Sequence, residues 1–252
     1  MLCSALIALP VLAIFVRSSA IESLGAWTGR SMVIQSLWLS LITSSTTLLL
    51  AIMLGTPLAL YLARSNTRPA GLIDTLIELP MVLPPAVAGI GLLLAFGRRG
   101  LLGSILEAVG LTIAFTTAAV VLAQLFVAMP FYIRSARAGF LLLDHQLEEA
   151  ARSEGATEFQ VVRHISVPLA LPSLVSGALM CWARAVGEFG ATIMFAGSLA
   201  GRTQTMPLAI YAALESDLNA ALELAALLTV ASLLALSVLR YLARRHLSHS
   251  AT

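Results

Sequence analysis

Lysine is absent from the chain: all 15 basic residues are arginine. A Walker A phosphate loop needs a lysine to reach the nucleotide phosphates, so that route to ATP hydrolysis is excluded and any ATP-driven work falls to another subunit. Charge of either sign is scarce, at 11% of residues against about a quarter in ordinary soluble domains. The net balance is +2, and the arginines are scattered rather than massed on one stripe, which gives no basis for nucleic-acid binding. The only two cysteines, Cys3 and Cys181, lie in apolar segments and read as small buried hydrophobes, without disulfide or metal-ligand spacing. His145, His164, His246 and His249 form no H-E-x-x-H pattern or ligand cluster, and no serine or cysteine has a nucleophile-elbow context. A membrane-embedded enzyme is therefore disfavoured.

What the chain has in abundance is apolar surface: 59% of residues and a mean hydropathy of +0.93. A soluble core cannot absorb that much, whereas a bilayer takes about 20 mostly apolar residues per helical span. Six runs approach that length, near Leu2–Val16, Ser36–Ala63, Leu72–Phe96, Ile113–Ile133, Leu169–Ala196 and Leu218–Leu239. The expectation is an all-α integral membrane protein of about six transmembrane helices. Residues 1–30 would hold the first span and an external loop, 31–241 the transmembrane domain, and 242–252 a short cytoplasmic tail. The first run is short. A cleaved signal peptide is the alternative, against which stand the missing basic n-region and the lack of a well-placed small-x-small cleavage site. Arg17, Glu22 and Arg30 read as a polar loop between spans one and two.

Cytoplasmic loops retain the basic excess. With both termini inside, the cytoplasmic face holds nine arginines (Arg64, Arg68, Arg134, Arg137, Arg152, Arg163, Arg240, Arg244, Arg245) against five outside, with Arg184 within a span. The bias favours cytoplasmic termini and a cytoplasmic location for the one long charged stretch, Arg134–Pro168.

Local signals in that stretch describe a helix, a break and a second helix. Asp144 can cap the first, Glu148 and Glu149 suit its positive end, and Gly155 can take the left-handed conformation that ends it. Thr157 and Gln160 form a T-x-x-Q capping box that restarts the chain, and Pro168 opposes continuation into the fifth span.

The run Glu149-Ala150-Ala151-x3-Gly155-x9-Ile165-x-Val167-Pro168 resembles the EAA motif of ABC importer permeases, with Val167 where leucine is usual. The stretches Leu79–Gly103 and Arg184–Tyr211 are similar to molybdate permeases; sulfate and thiosulfate permeases share much of the pattern. The resemblance spans about Gln35–Tyr241. It implies the type I importer permease fold, with a coupling helix between spans four and five in which Glu149, Ala150, Ala151, Gly155, Ile165 and Pro168 engage the ATPase. It further implies an inner-membrane homodimer within the lipid bilayer, partner ABC ATPase subunits that use ATP and Mg, an extracytoplasmic oxyanion-binding protein, and no cofactor bound by this chain. A secondary transporter or channel would need no EAA-like loop and would work without ATP.

Two further motifs lie inside spans. Pro80, Pro84 and Pro85, followed by Gly89 and Gly91, remove backbone donors from the third; the resulting kink either lines a pathway or serves only helix packing. In the fifth, Ala183, Gly187 and Ala191 are spaced by four and offer a small-residue packing face, and Arg184 and Glu188 are also four apart. Charges at such depth are functional candidates, either offsetting and releasing a passing anion or neutralising each other to fix helix register. Gly190 and Thr192 complete this candidate path or packing set.

Overall fold

The computed structural model describes residues 2–17, 31–65 and 67–249. Residues 18–30, which include Glu22 and Arg30 of the expected external loop, and residues 250–252 of the expected tail lie outside the described residues. Every regular element is a helix among the described residues. In chain order they are α1 (Leu2–Arg17), α2 (Ser31–Arg64), α3 (Arg68–Val82), α4 (Pro85–Phe96), α5 (Gly103–Ala108), α6 (Thr117–Leu141), α7 (His145–Ser153), α8 (Glu158–Val161), a π-helical turn (Val162–Ser166), α9 (Val167–Val186), α10 (Gly190–Ala196), α11 (Met206–Leu214) and α12 (Leu218–His249).

Among the described residues, four segments are long and apolar enough to cross a bilayer: Met32–Arg64, Thr117–Leu141, Glu158–Val186 and Leu218–Val238. The expected third span is not one helix with a kink. It is α3 and α4, bent by 118°. The cause is Leu83-Pro84-Pro85: a residue before proline is pushed out of the helical region, and here both Leu83 (φ −66°, ψ 134°) and Pro84 (φ −55°, ψ 133°) are extended. Pro80, by contrast, is carried inside α3 and buried. The expected first span is α1, whose 16 residues fall short of the usual spanning length and which touches α12. The expected tail is helical as far as His249, as the continuation of α12.

The centre of the molecule is a block of α2, α6 and α9. Its contacts are made by small side chains: Ala51, Ala59, Ala128, Ala136, Cys181 and Ala185 are fully covered, with Tyr132, Ile133 and Phe140 filling between them. Between helices in lipid, where apolar surface gains little from leaving its surroundings, close backbone approach and interhelical hydrogen bonds supply the attraction. Both are present. A methyl group on Gly55 would stand 2.8 Å from the ring of Tyr132. Thr56 and Tyr132 hydroxyls meet at 2.6 Å, and Ser135 Oγ donates to Ser173 O at 2.7 Å. Towards the start of α2, Ser36, Ser40, Thr43 and Thr47 form a buried polar stripe at helical spacing. Along it Thr47 Oγ1 donates to Gln124 Oε1 (3.1 Å), and Ser40 Oγ accepts from Met206 N (2.7 Å). A second core joins α4, α6 and α10 around Ala88, Ala123 and Phe195, and a third joins α2, α11 and α12 around Met206.

The packing face of α9 differs from the expected one. Gly187 ends the helix, so Ala183, Gly187 and Ala191 do not share a face; Ala183 and Gly187 are exposed, and Ala191 is buried on α10. The covered face is Gly177, Cys181 and Ala185, where a methyl group on Gly177 would lie 2.8 Å from Ser135 Cβ.

Candidate functional site

The charged segment between α6 and α9 folds as its local sequence dictates. Asp144 Oδ1 accepts from Gln146 N (2.9 Å) at the start of α7, and Gly155 leaves it at φ +92°, a conformation that disfavours any side chain. Thr157 and Gln160 form the reciprocal capping box that opens α8. Pro168 does not break the chain into two helices. α8 and the π turn run directly into α9, with Val167 N bonded to Val162 O. The widened turn takes up the strain that proline places on the preceding carbonyls, and π turns often mark functional positions.

Of the expected coupling residues, Ala151, Gly155 and Ile165 line a common notch of about 400 Å³ with Glu154, Ala156, Gln160, Val161 and His164. Glu149 and Ala150 are exposed on α7, and Pro168 is exposed at the start of α9. Two apolar side chains that the sequence motif does not single out, Leu147 and Phe159, also face outward, at 50% and 71% exposure.

Beneath this surface lies a second group that no local motif marks. Glu148 is buried, with 3% of its surface exposed. Its Oε1 accepts from Arg64 Nη2 (2.7 Å) and from Ser166 Oγ (2.6 Å), and its Oε2 lies 3.3 Å from Arg152 Nη2. Arg64 Nη1 also donates to Glu158 Oε2 (3.1 Å), and Arg152 Nε to Glu158 Oε1 (2.5 Å). Two arginines and two glutamates thus close a neutral ring, with Ser166 as a fifth member. Burial by itself would raise the Glu148 carboxyl, but the Ser166 hydroxyl and the Arg64 and Arg152 guanidinium groups outweigh it and hold the pKa below the ordinary value. The Arg152 guanidinium is raised above its ordinary value chiefly by its bond to Glu158.

Away from that segment, the candidate path residues gather where α4 meets α10. A methyl group on Gly190 would stand 2.7 Å from Pro85 Cβ, and one on Gly89 would stand 2.7 Å from Ala191 O, so both contacts require glycine. Pro84 precedes α4 and is exposed, as is Pro85. Arg184 and Glu188 form an ion pair at 2.6 Å across the end of α9; the Glu188 side chain is 1% exposed and that of Arg184 29%. Glu188 Oε1 also accepts from Ala191 N (2.7 Å), so the carboxylate bridges the end of α9 to the start of α10. Thr192 is buried on α10. Among the described residues no group of histidine, cysteine and carboxylates could hold a metal ion.

Residues 55–250 match the family described as binding-protein-dependent transport system inner membrane component. The chain belongs to this family. It is 47% identical over 199 residues to the molybdenum transport system permease protein ModB of Mycobacterium bovis, covering 79% of this chain and 75% of that one. It is 38% identical over 191 residues to the molybdate/tungstate transport system permease protein WtpB of Pyrococcus abyssi, covering 75% and 72%. A bacterial alginate ABC transporter, solved in complex with an alginate pentasaccharide-bound periplasmic protein, superposes with a TM-score of 0.75 at 16% identity, over 98% of this chain and 92% of that chain. At that identity the likeness is one of fold. The permease is therefore an all-α, multi-pass membrane protein with the type I ABC importer architecture.

Proposed function

We propose that this permease is the membrane subunit of an ATP-driven importer that moves molybdate, and tungstate with it, across the inner membrane. The observation that carries the substrate is the similarity to permeases named for molybdenum and for molybdate/tungstate. In this reading two copies pack around a central path, each carrying an ABC ATPase that uses ATP and Mg, and an external oxyanion-binding protein delivers the cargo. Both termini and the α7–α8 segment face the cytoplasm, as the arginine bias favours. The Glu149–Ala151 surface, the notch at Gly155 and Ile165, and exposed Leu147 and Phe159 supply the ATPase-docking face; their arrangement on one short, capped segment supports this role.

The path residues divide by exposure. Glu188 is committed to structure, since it holds Arg184 and the start of α10 together. Arg184 keeps an open flank beside exposed Ala183 and Gly187, where a passing divalent anion would meet a guanidinium already paired with Glu188, and so would be admitted without being trapped.

The test is uptake of labelled molybdate into proteoliposomes holding the permease, its ATPase and its binding protein. ATP-dependent uptake blocked by excess tungstate but not by sulfate is the expected result. Competition by sulfate would move the substrate to the sulfate and thiosulfate group, and uptake without ATP would overturn the importer reading.

A further inference from the structure

We infer that Glu148 is the joint through which the docking segment moves α2, making Arg64, Glu148 and Ser166 positioning residues for transport. The inference rests on the reading of α7–α8 as the ATPase-docking element.

By chain connectivity alone, a load applied to α7 reaches the membrane through α6 on one side and through α8, the π turn and α9 on the other. α2 is not adjacent in sequence: Arg64 is 84 residues from Glu148. Yet Arg64 is the last residue of α2, and it donates to the buried carboxylate of α7. Ser166, the last residue of the π turn, donates to the same oxygen of Glu148. One carboxylate oxygen thus joins three elements: the end of a long membrane helix, the docking helix, and the entry to another membrane helix. Arg64 reaches Glu158 as well, so its guanidinium is held by both helices of the docking segment and cannot follow one without the other.

The joint has two properties that a load-bearing contact requires. It is dry at its centre, because the Glu148 side chain is only 4% exposed, and charge-assisted hydrogen bonds are short and strong when water is excluded. It also ties α2 to α7 directly through side chains, whereas the close helix packing of α2 is against α6 and α9. On α7, Leu147, Glu149 and Ala150 of the docking surface are exposed where Glu148 is buried, so the two roles fall on different faces of that helix.

Glu148→Gln keeps the shape and one acceptor but removes the charge that holds both arginines. Two readouts test the inference in the complete complex of permease, ATPase and binding protein. The first is molybdate taken up per ATP hydrolysed. The second needs no cargo: spin labels on Tyr61→Cys, on the exposed side of α2, and separately on Ser153→Cys of α7, report ATP-dependent distance changes between the two copies. Cys3→Ser removes one native thiol, and Cys181 is buried.

The expected result for Glu148→Gln is retained ATPase binding and hydrolysis, a retained shift at 153, a lost shift at 61, and uptake per ATP reduced about tenfold or more. An unchanged shift at 61 would overturn the inference, as would shifts at 61 and 153 that fall together in a complex that still assembles. Should Glu148→Gln fail to assemble, Arg64→Gln, which leaves Glu148 held by Ser166 and Arg152, is read by the same criteria. Wild-type complex that shows both shifts but no molybdate uptake would count against the cargo assignment while leaving the joint standing.

Discussion

At the scale of single residues, the clearest constraints are a backbone angle and an ion pair. Gly155 turns at φ +92°, and a methyl group there would meet nothing within 4 Å, so the cost of a side chain is conformational rather than steric. Gly155→Ala should cost about 1 kcal/mol, and Gly155→Asp should also place a charge in the notch. Both should leave the permease in the membrane while weakening co-purification of the ATPase, the aspartate more severely. Arg184→Ala leaves the Glu188 carboxylate unpaired and should destabilise by about 3 kcal/mol, with the Arg184→Ala/Glu188→Ala double variant recovering much of the loss. Thermal unfolding in detergent measures both, with Glu188→Ala alone closing the cycle; single losses that simply add in the double variant would show that the contact at 2.6 Å is not energetically coupled.

Among the elements, the α7–α8 segment should carry its own pH dependence. Glu148 has a folded pKa below the ordinary 4.5. Its depressed pKa therefore contributes stability that is fully present above about 4.5 and lost as pH falls through the folded value. Hydrogen exchange across residues 145–166, corrected for the intrinsic pH effect, should show protection falling on acidification below that point, and Glu148→Gln should flatten the dependence. This segment also separates what is legible in a sequence from what is not. Asp144, Gly155, Thr157 and Gln160 are legible because each acts on backbone within four residues. Glu148 reads only as a helix-end charge, since its partner Arg64 is remote in the chain and nothing local marks the pair. Pro168 reads as an obstacle because the π turn that accommodates it has no simple signature. Ala183, Gly187 and Ala191 read as one face because the small residues that permit close packing are also those that allow a helix to end.

Across the whole molecule, hydropathy reveals the class of fold but not its path. Four spans are recoverable from length and composition, while the 118° turn between α3 and α4 is foreshadowed only as a kink. The prolines are visible; that Leu83 and Pro84 are both extended, and that α4 then packs against α10, is not. Gly190→Val should force α4 and α10 apart at Pro85, costing about 2 kcal/mol in thermal stability and lowering uptake. Orientation can be checked on the intact chain. A C-terminal green fluorescent protein fusion should fluoresce, and alkaline phosphatase fused after Gln204 should be active; the reverse pattern would invert the topology.

The closed ring of Arg64, Glu148, Arg152 and Glu158 also has a genetic consequence. Its charges balance only as a set, so a single replacement leaves a surplus that another member can cancel. A strain crippled by loss of Glu158 carries two arginines on one carboxylate. Its spontaneous second-site revertants should fall at Arg152, which restores balance while sparing the link from α2 to α7, and should avoid Arg64, which restores the same balance by severing it.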